Sequence, residues 1–152
     1  MSGADAIDVS KTKLIIQSGY LNNVTDKGIS VGENSTAIIL DTNISKAFVG
    51  IVAKDSSKID ILNVRLESII FADTMSYRKK SHFSGAEIKA SGLESFLDKH
   101  LVQTNSVSII NGNTIKTEDI NIDLLYDTVM ESIKWALDKK KNTHFLHARY
   151  QK

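Results

Sequence analysis

The chain contains no cysteine, so disulfides and thiolate metal sites are excluded, although this fixes no redox compartment. Nor does it carry a surplus of either charge. Its 19 Lys and Arg against 18 Asp and Glu leave a formal net charge of +1, which supplies no general attraction to nucleic acid or to an anionic membrane. It has no apolar run of about 18 residues or more, so no segment reads as a membrane span. The first residues lack a basic stretch followed by an apolar one, so no signal peptide is visible. What remains is 152 residues, 41% apolar and 24% charged, the composition of one globular domain with a sizeable core.

The strongest positive feature is a repeat. Lys27-Gly28-Ile29-Ser30-Val31 is followed 22 positions later by Val49-Gly50-Ile51-Val52-Ala53, and a step of 22 backwards from Ile29 reaches Ile7 in Asp5-Ala6-Ile7-Asp8-Val9. Within each repeat, apolar residues alternate in short runs: Ile29 and Val31, Ala37 and Ile39, then Ile44 and Ala47; next Ile51 and Ala53, Ile59 and Ile61, then Leu66 and Ile69. The first repeat offers Ile7 and Val9, Leu14 and Ile16, then Leu21 and Val24, one residue short between Val9 and Leu14. Alternation at period two means strands with one buried face and solvent on the other. Three short strands per repeat, separated by Asn, Ser, Asp and Gly, predict an all-β solenoid: a right-handed, three-sided parallel β-helix of about four to five coils.

The turns repeat too. Glu33-Asn34-Ser35 matches Asp55-Ser56-Ser57, and Gly28 matches Gly50, at positions expected to need a positive φ or to leave no room for a side chain. Stacked Asn and Ser at such turns predict side-chain hydrogen-bond ladders. A fourth repeat begins near Phe71, with Asp73 in the glycine place, and is interrupted by Tyr77-Arg78-Lys79-Lys80-Ser81-His82-Phe83-Ser84-Gly85, read as a projecting basic, aromatic loop. A strand resumes at Ala86–Ala90, with Leu93, Phe96, Leu101 and Val102 in a less regular coil. Asn111-Gly112 then predicts a tight primed turn in a small hairpin. From Ile122 to Lys141 the apolar spacing becomes three and four (Ile122, Leu125, Val129, Ile133, Leu137), an amphipathic α-helix with Asn121 or Asp119 as cap and Lys139, Lys140 and Lys141 at its end. The expected division is residues 1–116 for the β-helix and 117–152 for the helix and tail.

Asp26–Ser35, Gly50–Lys58 and the stretch from Tyr77 to Ile88 resemble right-handed parallel β-helix proteins of the pectin-lyase-like kind. The nearer likeness is to β-helix modules of bacterial surface or envelope proteins, some linked to spore-coat-kinase-like domains. The resemblance covers residues 3 to 116 and implies an architecture; this superfold hosts lyases, hydrolases, esterases, epimerases and inert scaffolds, so it assigns no activity. It implies surface or envelope association if the chain is part of a longer exported protein. The paired aspartates and Gly-His-Gly turn of polygalacturonan-cleaving relatives are missing. No acid ladder for calcium runs from Asp5 and Asp8, whose equivalents one repeat on are Lys27 and Ser30.

Candidate contact residues are Tyr77, Arg78, Lys79, Lys80 and His82, where cations suit the carboxylates or sulfates of an acidic polysaccharide and Tyr77 suits a sugar ring. Glu33 and Asp55, on adjacent coils about 5 Å apart, have the spacing of a retaining glycosidase pair. His144 and His147 have metal-like spacing but no further ligands, so neither metal nor cofactor is expected. The open face of the first repeat predicts either the C-terminal piece of a longer stack or a face covered by another protein or domain. The leading reading is a non-catalytic scaffold displaying a surface for glycan or protein contact. The alternatives are a polysaccharide lyase, hydrolase or epimerase fragment and a structural assembly element.

Overall fold

In a computed structural model, the described residues are 4–131 and 135. They fall into two compact units, one ending at Ile120 and one starting at Asn121. The first unit is the predicted parallel β-solenoid of about five turns, coiled in the right-handed sense. Its strands are β1 (Ile7–Ser10), β2 (Lys13–Ile16), β3 (Gly19–Asn22), β4 (Lys27–Gly32), β5 (Thr36–Ser45), β6 (Val49–Lys54), β7 (Lys58–Glu67), β8 (Ala72–Tyr77), β9 (Glu87–Ser95), β10 (His100–Val102), β11 (Val107–Ile110) and β12 (Asn113–Thr114). One five-stranded sheet runs β1-β4-β6-β8-β10. A second, seven-stranded sheet runs β12-β11-β9-β7-β5-β2, with β3 also on β5.

Ile7, Ile29 and Ile51 stand in register, as the 22-residue step requires. The core column is Ile29, Val31, Ile51 and Ala53 from one sheet, facing Ala37, Ile39, Ile44, Ile59, Ile61 and Leu66 from the other. Between β7 and β9 the step lengthens, Ile59 pairing with Ile88, because the loop after β8 is inserted there. Register recovers at once. β9 continues regularly through Ser95 and β10 pairs with β8, so the coil expected to be irregular is an ordinary one. The Asn111-Gly112 hairpin forms with both residues at positive φ (51° and 83°), the signature of a primed turn.

The three sides are made by backbone bends, and most of the residues that bend are not glycine. β5 and β7 are ten residues each, and a single left-handed residue folds each across two sides: Asp41 (φ 49°) and Asn63 (φ 58°), with Gly92 (φ 62°) in the same place on β9. The next corner carries Lys46 and Ser68, and the third carries Glu33 and Asn34, then Asp55 and Ser56, all at positive φ. A left-handed conformation costs a non-glycine residue about 1 kcal/mol, and stacking offsets it through bonds between coils. Asn63 Nδ2 donates to Asp41 Oδ1 (2.6 Å), Thr12 N to Ser35 Oγ (3.1 Å) and Ser84 N to Ser56 Oγ (2.8 Å). At the far end Asn111 stands in for a missing strand, its amide both accepting from Leu93 N (2.9 Å) and donating to Leu93 O (2.8 Å).

Gly28 and Gly50 coincide because space runs out. A Cβ on Gly50 would fall 2.5 Å from the Asp73 carbonyl, and one on Gly28 would fall 2.7 Å from the Gly50 carbonyl. Phe48 and Phe71 stack along the axis (centroids 5.4 Å apart, planes 5° apart), with Lys99 Nζ over Phe71 at 4.4 Å.

Solvent on the outer side was expected everywhere. It holds for the seven-stranded sheet, where β5 and β7 alternate exposed and buried, but not for the five-stranded one. There β4 and β8 are buried along their whole length, and the outward Ser30, Val52 and Met75 are fully buried. Part of the cover is local, since the Lys54 side chain lies across Gly32. After β12 the chain stays on the stack: Glu118 N donates to Val102 O and Gln103 Nε2 to Ile120 O (2.8 Å each).

In the second unit Asn121 caps α1 (Ile122–Leu124), its side chain accepting from Leu124 N at 3.1 Å. The helix that the apolar spacing predicted is present and takes the wider π pattern over Leu125–Met130. Spacings of three and four fix an apolar face without fixing which carbonyl each N–H reaches. Ile133, Leu137, Lys139, Lys140, Lys141, His144 and His147 lie outside the described residues.

Candidate contact surfaces

The basic loop follows β8 directly. Arg78, Lys79, Lys80 and His82 are exposed, but Tyr77 is not. It closes β8 at 1% exposure, on the covered outward face in register with Lys54, so the ring expected to stack on a sugar is not accessible. The period-two reading of this segment stopped one residue too early. Asp55 is also buried, at 1% exposure. Its Oδ1 accepts from Lys79 N (2.8 Å) and Lys80 N (2.9 Å), so it holds the loop entrance. Glu33 accepts from Lys80 Nζ and from Ser10 Oγ (3.3 Å). The hydrogen bond from Lys80 holds Glu33 below the usual carboxylate range and raises Lys80 in turn. A retaining glycosidase needs one carboxyl free as nucleophile and one as acid. Here one carboxyl carries backbone N–H groups and the other carries an ammonium. Lys80 is thereby tied to the second coil, two coils back along the stack, and His82 rests on Phe83 (centroids 4.3 Å).

A second surface was not singled out from the sequence. It lies on the outer face of the seven-stranded sheet beyond the Asp41–Asn63–Gly92 corner. Strand register sets Tyr20, Asn43, Arg65 and Glu94 side by side on four successive coils. Between this row and the corner row lies a shallow polar cavity of about 300 Å³. Tyr20, in the same row, and Phe96, two residues beyond Glu94, are 67% and 62% exposed. Arg65 Nε lies 2.5 Å from Glu67 Oε1, and its guanidinium lies 5.2 Å from the Phe96 ring centre. The signal was available in principle. The outward residues follow the same steps as the core, but the lengthened step between Arg65 and Glu94 hid the last member.

At the end of the five-stranded sheet Thr74 Oγ1 lies 2.7 Å from His100 Nδ1, and Asp73 Oδ2 accepts from Lys99 N (3.0 Å). Burial pushes Asp73 up and His100 down. Thr74 is fully buried, which removes it as a nucleophile for an outside substrate. Among the described residues no group of three or more His, Cys, Asp or Glu could hold a metal ion, and no helix is long and apolar enough to cross a membrane.

The fold and these surfaces define a β-solenoid scaffold with side chains displayed in rows. No protein-family model matches the chain, and neither the curated proteins nor the solved structures searched gave a match. What stands is the right-handed parallel β-solenoid, and no family is assigned to it.

Proposed function

We propose that the chain is a non-catalytic recognition module, a β-solenoid whose exposed rows of side chains contact a glycan or another protein. The observation that carries this reading is the fate of the acids best placed for chemistry: Asp55 is buried under two backbone N–H groups and Glu33 is bound to Lys80. Stacked coils make the display rigid, since each outward residue is fixed by neighbours above and below. The expected result is binding without turnover. The full chain retains a ligand on a glycan array or in a pull-down, while acidic polysaccharides incubated with it yield neither unsaturated products nor new reducing ends. Product formation abolished by changing Arg78 or Lys79 would replace this reading with a carbohydrate-active enzyme. Silence in both binding assays would end it.

A second contact is favoured by the first coil. Ile7, Val9, Leu14, Ile16, Leu21 and Val24 are only partly buried, and β1 lies at the end of its sheet. Apolar side chains beside an unpaired edge suit the docking of another protein's strands. Light scattering that finds a monomer at high concentration, together with no captured partner, removes this contact.

A further inference from the structure

We infer that the row Tyr20–Asn43–Arg65–Glu94 is the binding face for an uncharged polysaccharide strand lying parallel to the solenoid axis. This rests on the recognition-module reading and names its ligand class and site. The spacing comes first. Neighbouring parallel strands lie about 4.8 Å apart, close to the advance of one pyranose ring in an extended glycan. From Tyr20 to Glu94 the row makes three such steps, a span of about 14 Å. One side chain per sugar is thus offered in register along a strand of three to four rings.

The chemistry fits the same ligand. Sugar rings have apolar C–H faces and hydroxyl rims. Exposed Tyr20 at one end and Phe96 at the other offer aromatic faces, while Asn43, Arg65 and Glu94 offer donors and acceptors for hydroxyls. Neither ring is needed by the core, since both are largely exposed. The corner row supplies a shallow wall, with Asn63 and Asp41 fixed to each other and Gly92 leaving room for a ring. Charge selects against polyanions. Asp41, Glu67 and Glu94 place three carboxylates around one guanidinium, and Arg65 is already paired with Glu67. An acidic strand would meet net negative charge on this face, whereas a neutral one meets none to oppose it.

The test is an array of neutral glycans (β-glucans, mannans, xylans) and acidic ones (polygalacturonate, alginate, heparin). The full chain is probed beside Tyr20→Ala, Phe96→Ala and the loop double variant Arg78→Ala/Lys79→Ala. All four positions are exposed, so the circular dichroism and Tm of each variant should match the parent. The expected result is retention of a neutral glycan, with affinity rising up to oligosaccharides of three to four rings and then levelling. Tyr20→Ala weakens it about tenfold, Phe96→Ala weakens it to a smaller degree, and the loop variant leaves it unchanged. Added salt has little effect, since no ion pairs form with the ligand.

Several results overturn the inference. Binding to an acidic glycan that the loop variant abolishes moves the site to the loop and leaves the recognition module standing. A captured protein with no glycan bound removes the ligand class only. A dimer in light scattering that Tyr20→Ala dissolves makes this row a contact between copies. No binding of any kind removes both the inference and the reading beneath it.

Discussion

The first coil and the third carry the same pattern and end in different states. Ile7 and Ile51 occupy the same register position, yet Ile51 is fully buried and Ile7 only partly. β1 alternates half-buried and exposed residues, whereas in β6 all but the last residue are buried. The third corner shows the same gradient along the axis: Lys11, Glu33 and Asp55 are stacked at positive φ, their side chains respectively solvated, partly covered and buried. What differs is not the local sequence but the number of neighbouring coils. A coil supplies only half of the burial its own side chains need, and the adjoining coils supply the rest.

Core truncation should separate the two coils most. Ile51→Ala is expected to cost about 2–5 kcal/mol, as a fully buried aliphatic does, and Ile7→Ala roughly 1 kcal/mol or less; urea midpoints of the two variants would show it. Equal losses would mean that the first coil is as well packed as the third. Next is the glycine column. Gly50→Ala drives a methyl to 2.5 Å from a backbone carbonyl, with an expected loss of about 1–3 kcal/mol. The corresponding place in the first coil already holds Ala6, where Ala6→Gly should shift Tm only slightly.

Asp55→Ala strands the N–H groups of Lys79 and Lys80 and should cost about 1–2 kcal/mol. Limited proteolysis should then cut faster within 78–85, while Lys11→Ala on the same corner should leave the pattern alone. Smaller again is the response to acid at His100. Burial depresses its folded pKa, so its contribution is intact above the unfolded value of 6.5 and is lost as pH falls through the lower folded value. Asp73, raised by burial, works the other way and returns stability as it protonates at lower pH. A urea midpoint that falls between pH 7.5 and 5.5, and falls less in His100→Gln, is the expected result. The smallest effect belongs to Glu33 and Lys80, a partly exposed pair that salt screens. The lowered Glu33 contributes above its ordinary value of 4.5 and loses that contribution as pH falls through its folded value. Lys80→Met should therefore change the midpoint measurably only at low salt and above that pH.

Much of the architecture was legible because strands on a stack repeat the same physical demand at each coil. Period-two alternation named the inward residues, and a fixed step set Ile7, Ile29 and Ile51 in one column. Glycine coincidence at Gly28 and Gly50 was legible for the same reason, and Asp73 in that column followed from it. The corners were legible only in part. Asp41, Lys46, Asn63 and Ser68 sit inside or beside long strands, and nothing local marks a Lys or Ser as left-handed; the bend is imposed by closing the coil.

The candidate sites divide along the same line. Sequence alone determined that the chain winds in coils, which aliphatics line the column and where the basic loop interrupts it, because each follows from spacing along the chain. Tertiary structure alone decided that Tyr77 and Asp55 are buried, that Lys80 is joined to Glu33, and that Tyr20, Asn43, Arg65 and Glu94 form one row. Those outcomes depend on what the neighbouring coil places within a few ångströms, and spacing along the chain does not carry that information once an insertion shifts the step.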